Sequence, residues 1–133
     1  MNKSRRSGRW ILLVAALFGA VALVLSASSA HALKPLVGAD NLARLQTANH
    51  YLMYYSLVLV VLGLFCQLRP VSGLPQVAAL FSAGISIFCS GLYILSVTKM
   101  SSLAWLVPLG GLTLLAGWLL LAWVAWRQGE TDD

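Results

Sequence analysis

This sequence predicts an all-α integral membrane protein, a bundle of four antiparallel helices with both termini in the cytoplasm. Three observations carry that reading. Hydrophobic residues make up 59% of the 133 positions and charged residues only 10%, against about 45–50% and about 25% in soluble domains. Mean hydropathy is +0.83. The apolar residues gather into four long runs, separated by proline, glycine or charge. One soluble core of this length could not hide so much apolar surface, so lipid is the solvent for most of the chain. The composition excludes a disordered chain, a disulfide scaffold and an ordinary cytosolic enzyme.

The first run covers residues 10–30 and ends before Lys34-Pro35, since proline disfavours helix at the residue preceding it. The second covers 51–68 and stops at the polar turn from Arg69 to Pro75. The third covers 76–97, and the stretch from Thr98 to Ser102 separates it from the fourth, 103–126. About 20 helical residues cross a hydrocarbon layer of ~30 Å, which each run can do. Membrane strands would need apolar and polar residues to alternate, and these runs are continuous. The connection 34–50 is the one sizeable piece outside the membrane. Asp40 is placed to cap a helix, and Leu42, Leu45 and Leu52 fall roughly on one face, so this stretch reads as a short interfacial helix or an outward extension of the second span.

Charge sets the orientation. Net charge is +5. Lys3, Arg5, Arg6, Arg9, Arg69 and Arg127 fall on the side of the termini, and Lys34, Arg44 and Lys99 on the other, a bias that puts both termini inside. No basic stripe with interleaved aromatics exists, so nucleic acid is excluded as a partner. The tail from Arg127 to Asp133 is short and partly acidic. Trp10, Trp123 and Trp126 mark the inner interface, and Tyr51, Tyr93 and Trp105 the outer one. Arg5-Arg6, the apolar run and Ala30-His31-Ala32 also resemble a cleavable signal. The run is longer than the ~7–15 residues of such signals, so the first helix reads as retained.

Few residues are candidates for chemistry. His31 and His50, with Asp40, match no metal-ligand spacing and read as interfacial histidines bonded to loop backbone. Cys66 and Cys89 fall at different depths and read as small fillers rather than a disulfide. The third span carries Ser82, Ser86 and Ser90 at i, i+4 and i+8, continued by Tyr93, with Gly91 alongside. The fourth carries Gly110, Thr113 and Gly117 at i, i+3 and i+7. Small faces let helices approach closely in lipid, so these two are expected to pack on each other. Gly117 lies nine residues from Trp126, ~13 Å along the axis, which sets it against the third helix near Ser82 or Ser86. Pro108 either sits in the first turn of the fourth helix or kinks it, with Gly110 and Gly111 following. No Asp, Glu, Lys or Arg falls within a span, which leaves ion-coupled transport without its usual groups. No nucleophile–base pair, phosphate loop or metal motif is present, so no catalytic residue, metal or cofactor is expected.

Three segments together carry a resemblance: Ser-Ala-His-Ala-Leu (29–33), Phe-Cys-Ser-Gly-Leu-Tyr (88–93), and Val107 to Trp118, with Pro108, Gly110, Gly111, Gly117 and Trp118. In that order and spacing the chain resembles the YgdD-like family of small bacterial inner-membrane proteins, over about Trp10 to Trp126. The resemblance implies a four-helix integral protein with no established activity, in the inner (plasma) membrane. His31 matches the family pattern. Ser26, Ser28 and Ser29 replace its glycines and phenylalanine, and Tyr55 stands where it has a second histidine. That loss favours packing over a paired-histidine site. The expected role is structural or interactive: a non-enzyme in the bilayer, associating with a membrane-protein partner or with itself. The alternative is a binder or transporter of a small molecule or lipid, acting as an oligomer.

Overall fold

The structure is a computed structural model that describes residues 3–131; Asp132 and Asp133 of the expected tail lie outside the described residues. Four helices fill it: α1 Lys3–Ser28, α2 Ala39–Leu68, α3 Leu74–Thr98 and α4 Leu106–Thr131. All four are long and apolar enough to cross a membrane. A π-helical turn, Ser29–Leu33, prolongs α1. The connection to α2 is therefore short, and helix begins at Ala39. Of the two readings of residues 34–50, the outward extension of the second span is what forms. Its sequence favours this, because Leu45, Ala48 and Leu52 keep the apolar spacing of the span and are buried with it.

The turns follow local chemistry. Gly73 has φ +98°, a left-handed conformation that a side chain resists, and starts α3 immediately before Leu74 and Pro75. Proline at this point loses nothing, since the first helical N–H groups have no partner anyway. A 3-10 turn, Ser101–Leu103, leads into α4, so Pro108 falls in the first turn of that helix.

α2 and α3 form the central pair. In their most apolar stretches 39% and 44% of residues are buried, against 11% for α1 and 22% for α4. α1 lies along α2 and touches α3; α4 lies along α3. The buried positions of α1 are Gly8, Ala15 and Ala22, followed by Ser29. They recur every seven residues and are all small. This is an antiparallel coiled-coil seam in which backbone replaces side chain. Opposite it on α2 stand Leu45, Leu52, Leu59 and Cys66, again at sevens, with Asn49, Ser56 and Gly63 beside them.

The contact of α3 with α4 is a reciprocal fit of rings and branched chains into glycines. A Cβ on Gly117 would meet the Phe81 ring at 2.6 Å, and one on Gly110 would meet the Phe88 backbone at 2.5 Å. In the other direction, Leu114 fills the space at Gly84, and Leu106 and Val107 fill that at Gly91. Each step of three or four residues up α3 matches an equal step down α4. Gly110, Gly117 and Gly91 thus lie in the contact where the sequence expects small residues to pack.

The serine ridge does not. Ser86 and Ser90 face a groove bordered by Phe18, Val21 and Leu25 of α1. Ser82 and Ser86 donate to the carbonyls four residues back, Ala78 and Ser82, both at 2.7 Å. The expected serine-to-glycine pairing is corrected: α3 meets α4 through Phe81, Gly84, Phe88 and Gly91, a row on the opposite face of the helix, about 180° from the serines at ~100° per residue. Thr113 likewise turns its hydroxyl back to Leu109 at 2.9 Å, and Leu114 takes its place in the contact. Gly111 has nothing within 4 Å of where a Cβ would stand and takes no part.

Candidate functional site

A line of polar side chains joins three helices near the end of the bundle where α1 meets α2. Ser29 ends the seam of small residues on α1 and is 2% exposed. Its hydroxyl donates to the Leu25 carbonyl at 2.8 Å and accepts the Asn49 amide at 3.1 Å. Tyr93 of α3 donates its O–H to Asn49 Oδ1. The line thus runs from α3 through α2 to α1, and each group in it has a partner. In lipid there is no water to satisfy such groups, so the contacts hold the three helices in one register, at roughly 0.6–2 kcal/mol each. Ser96, three residues past Tyr93, is 1% exposed, and its hydroxyl has no hydrogen-bond partner among the described residues.

Tyr93 also forms one wall of the groove between α1 and α3. The groove has a volume of about 310 Å³ and is lined by Phe18, Val21, Leu25 and Leu52 with Ser86, Cys89, Ser90 and Tyr93. Cys89 turns its thiol to the Ala48 carbonyl at 3.2 Å. Ser90 makes no hydrogen bond to the described residues. One side of the groove is therefore a hydrocarbon wall and the other a row of hydroxyls. The surface is thus two-sided, apolar and polar, and its volume lies at the small end of the usual ligand-pocket range of about 300–1,000 Å³.

A second tie lies deeper. Trp118 of α4 donates its indole N–H to the Tyr55 hydroxyl at 2.8 Å. Phe81 stands edge-on to Tyr55 at 5.2 Å and against Trp118 at 5.1 Å. Tyr55, standing where the resemblance has a histidine, thus anchors α4 to α2 across Phe81. Ser56, the next residue, donates to the Ala15 carbonyl at 2.9 Å and joins α2 to α1.

The two histidines do not join these clusters. His31 is exposed on the π-helical turn, and His50 stacks on Tyr54 at 6.3 Å. Among the described residues no three of His, Cys, Asp and Glu come together as metal ligands would. Both cysteines are buried and free. Trp10, Trp105, Trp123 and Trp126 stay more than half exposed, as interfacial rings should. Tyr93 does not; its ring belongs to the groove and the polar line. Asn49, Ser29, Ser56 and Tyr55 escape a reading by spans. Asn49 falls in the stretch taken for the outer loop, and Ser29 in the stretch resembling a cleavage site. Spacing alone could have found Ser29, seven residues beyond Ala22.

Comparison with known proteins agrees with this architecture. The family model described as "Protein of unknown function (DUF423)" matches residues 25–111, from the last turn of α1 through Gly111. The inner membrane protein YgdD of Escherichia coli (strain K12) is 29% identical over 86% of this chain and 88% of its own length. The membrane protein YwdK of Bacillus subtilis (strain 168) is 32% identical over 83% of this chain and 90% of its own. The membrane protein SSP2132 of Staphylococcus saprophyticus is 30% identical over 83% and 91%. No solved structure matches the chain. The matched segment contains Ser29, Asn49, Tyr55 and Tyr93 and the first two of the α4 glycines. With four membrane-spanning helices and relatives of this kind along most of its length, the chain is a multi-pass inner-membrane protein belonging to the DUF423 family.

Proposed function

We propose that the protein works by binding within the membrane, without catalysis, and that its ligand is a small amphiphile or lipid held in the groove between α1 and α3. The groove itself is the observation that carries this reading. Phe18, Val21, Leu25 and Leu52 give it an apolar wall, while Ser86, Ser90 and Tyr93 give it hydroxyls. A wall of that kind accepts a chain, and hydroxyls facing hydrocarbon are favourable only with a polar partner. The Ser90 hydroxyl has no such partner among the described residues. The polar line through Asn49 keeps α1 at a fixed distance from α3, so the groove would be preformed.

Native mass spectrometry of the purified chain in mild detergent tests this. The expected result is a retained mass beyond the protein, which Ser86→Leu/Ser90→Leu removes by filling the groove. A wild-type spectrum free of any adduct would overturn it. The same spectrum reads the second reading, a structural protein that binds a membrane-protein partner or a second copy. One observation supports that alternative: His50, Tyr51 and Tyr54 form an aromatic group on α2, with Tyr51 and Tyr54 41% and 58% exposed. Multimers that survive delipidation would favour it.

A further inference from the structure

The end of the bundle that carries the start of α1 and the α2–α3 turn holds a different feature, independent of the groove. Ser4 donates its hydroxyl to the Cys66 carbonyl at 2.6 Å. One turn on, Gly8 lies so close to α2 that a Cβ there would meet the Gly63 carbonyl at 2.6 Å and the Gln67 side chain at 2.7 Å. These contacts fix the first turns of α1 on the last turns of α2. Arg5 and Arg9, four residues apart, are stacked on one face of α1. With Gln67 and Leu68 they line a cleft of about 390 Å³.

Neither arginine pairs with another described residue. Two of the carbonyls at the end of α2, which could have absorbed them, have partners already. Cys66 accepts Ser4, and Phe65 accepts the Arg69 N–H at 2.8 Å. Asp40 begins α2 at the opposite end, and Glu130 sits on α4, which does not pack against α1. Arg127 differs, because its guanidinium rests over the Trp123 ring at 4.8 Å. Two arginines on one face of α1, lining one cleft with the Gln67 amide, suit the oxygens of a phosphate, which guanidinium binds in pairs. The apolar continuation is in place too: Leu68 is 80% exposed and Leu64, one turn away, 47%.

We infer that this cleft binds the phosphate of an anionic phospholipid, clasped by Arg5 and Arg9 with the Gln67 amide, its chains laid along Leu64 and Leu68. The shared chemistry is a phosphate ester, and the test separates a lipid from a soluble source. The full chain is reconstituted, and retention of phosphatidylglycerol is compared with that of phosphatidylcholine, with and without glycerol 3-phosphate as soluble competitor. Wild type should prefer phosphatidylglycerol by about tenfold or more, a difference of about 1.4 kcal/mol, and the competitor should not displace it. Arg5→Gln/Arg9→Gln should abolish the preference, whereas Arg6→Gln/Arg127→Gln, which removes equal charge at the same end, should keep it. Gln67→Leu leaves every charge that guides insertion and should weaken the preference about threefold, as loss of one hydrogen bond does. Equal loss in both arginine pairs would reduce the effect to bulk charge and overturn the site. So would an unaffected Gln67→Leu, or displacement by glycerol 3-phosphate.

Discussion

Gly110 and Gly111 are neighbours in sequence with opposite surroundings. A Cβ at Gly110 would collide with the backbone of Phe88 at 2.5–2.7 Å, and backbone cannot rotate aside. At Gly111 the space is open. Gly110→Ala should therefore force α3 and α4 apart and cost about 1–3 kcal/mol. Gly111→Ala meets nothing and removes a flexible residue from a helix interior, so it should stabilise by up to about 1 kcal/mol. Thermal unfolding of the two variants in the same detergent decides the matter, and equal effects would contradict the described contact. Gly117 is the milder case, since what it meets is the Phe81 ring, which can tilt. The doublet is legible in the sequence as a place for small residues. Which glycine is needed depends on the direction each Cα faces, and that is fixed by the rotation of α4 against α3.

At the scale of the helix, α1 has the weakest hold in numbers of buried side chains, yet it approaches α2 closely. Its buried positions carry almost no side chain: Gly8, Ala15 and Ala22. What attaches it is near contact of backbones, helped by hydrogen bonds from Ser56 to the Ala15 carbonyl and from Ser4 to the Cys66 carbonyl. In lipid no hydrophobic force drives helices together, so close packing and hydrogen bonds must do so. Ala15→Leu should then loosen α1 from α2 at a cost of about 1–3 kcal/mol, and lower the melting temperature. Leu17→Ala, at a position 65% exposed, should change it little. A paired cysteine at Ser4 and Cys66, crosslinked in wild-type background and not in Ala15→Leu, would report the same loosening directly. The seam at sevens is present in the sequence. It is easily passed over because α1 is apolar all round, so that only residue size, not polarity, marks the buried face.

For the whole molecule, short antiparallel connections put both termini at one end. We propose that this end is the cytoplasmic one, since six basic residues lie there against three at the other. Reporter fusions after Asp133 and in the loop at Gly38 should thus read opposite sides of the membrane, the first inside. An exported reading for the C-terminal fusion would overturn this orientation, whether through cleavage of the first helix, a different number of spans or an inverted bundle. Two ties cross the bundle at different depths, Ser29–Asn49–Tyr93 among α1, α2 and α3, and Tyr55–Trp118 between α2 and α4. Between them they link all four helices, so the molecule is held in register although α1 and α4 lie apart.

By itself the sequence determined the solvent, the number of spans and the turns. These follow from quantities summed along the chain: apolar length, proline and glycine at the breaks, and charge at the ends. It also marked Gly110, Gly117, Gly91 and Trp118 as packing residues, because small or broad side chains at helical spacing have few other uses in lipid. Tertiary structure decided what meets what. It turned the serine ridge of α3 away from α4 and onto a groove with α1. It drew Asn49 from an expected loop into the buried polar line and set Arg5 and Arg9 beside Gln67. Each outcome depends on the rotation and offset of one helix on another, and those are set by where backbones can approach most closely. A periodic apolar sequence allows several such rotations, and only the contacts of Gly8, Gly63, Gly84 and Gly110 choose among them.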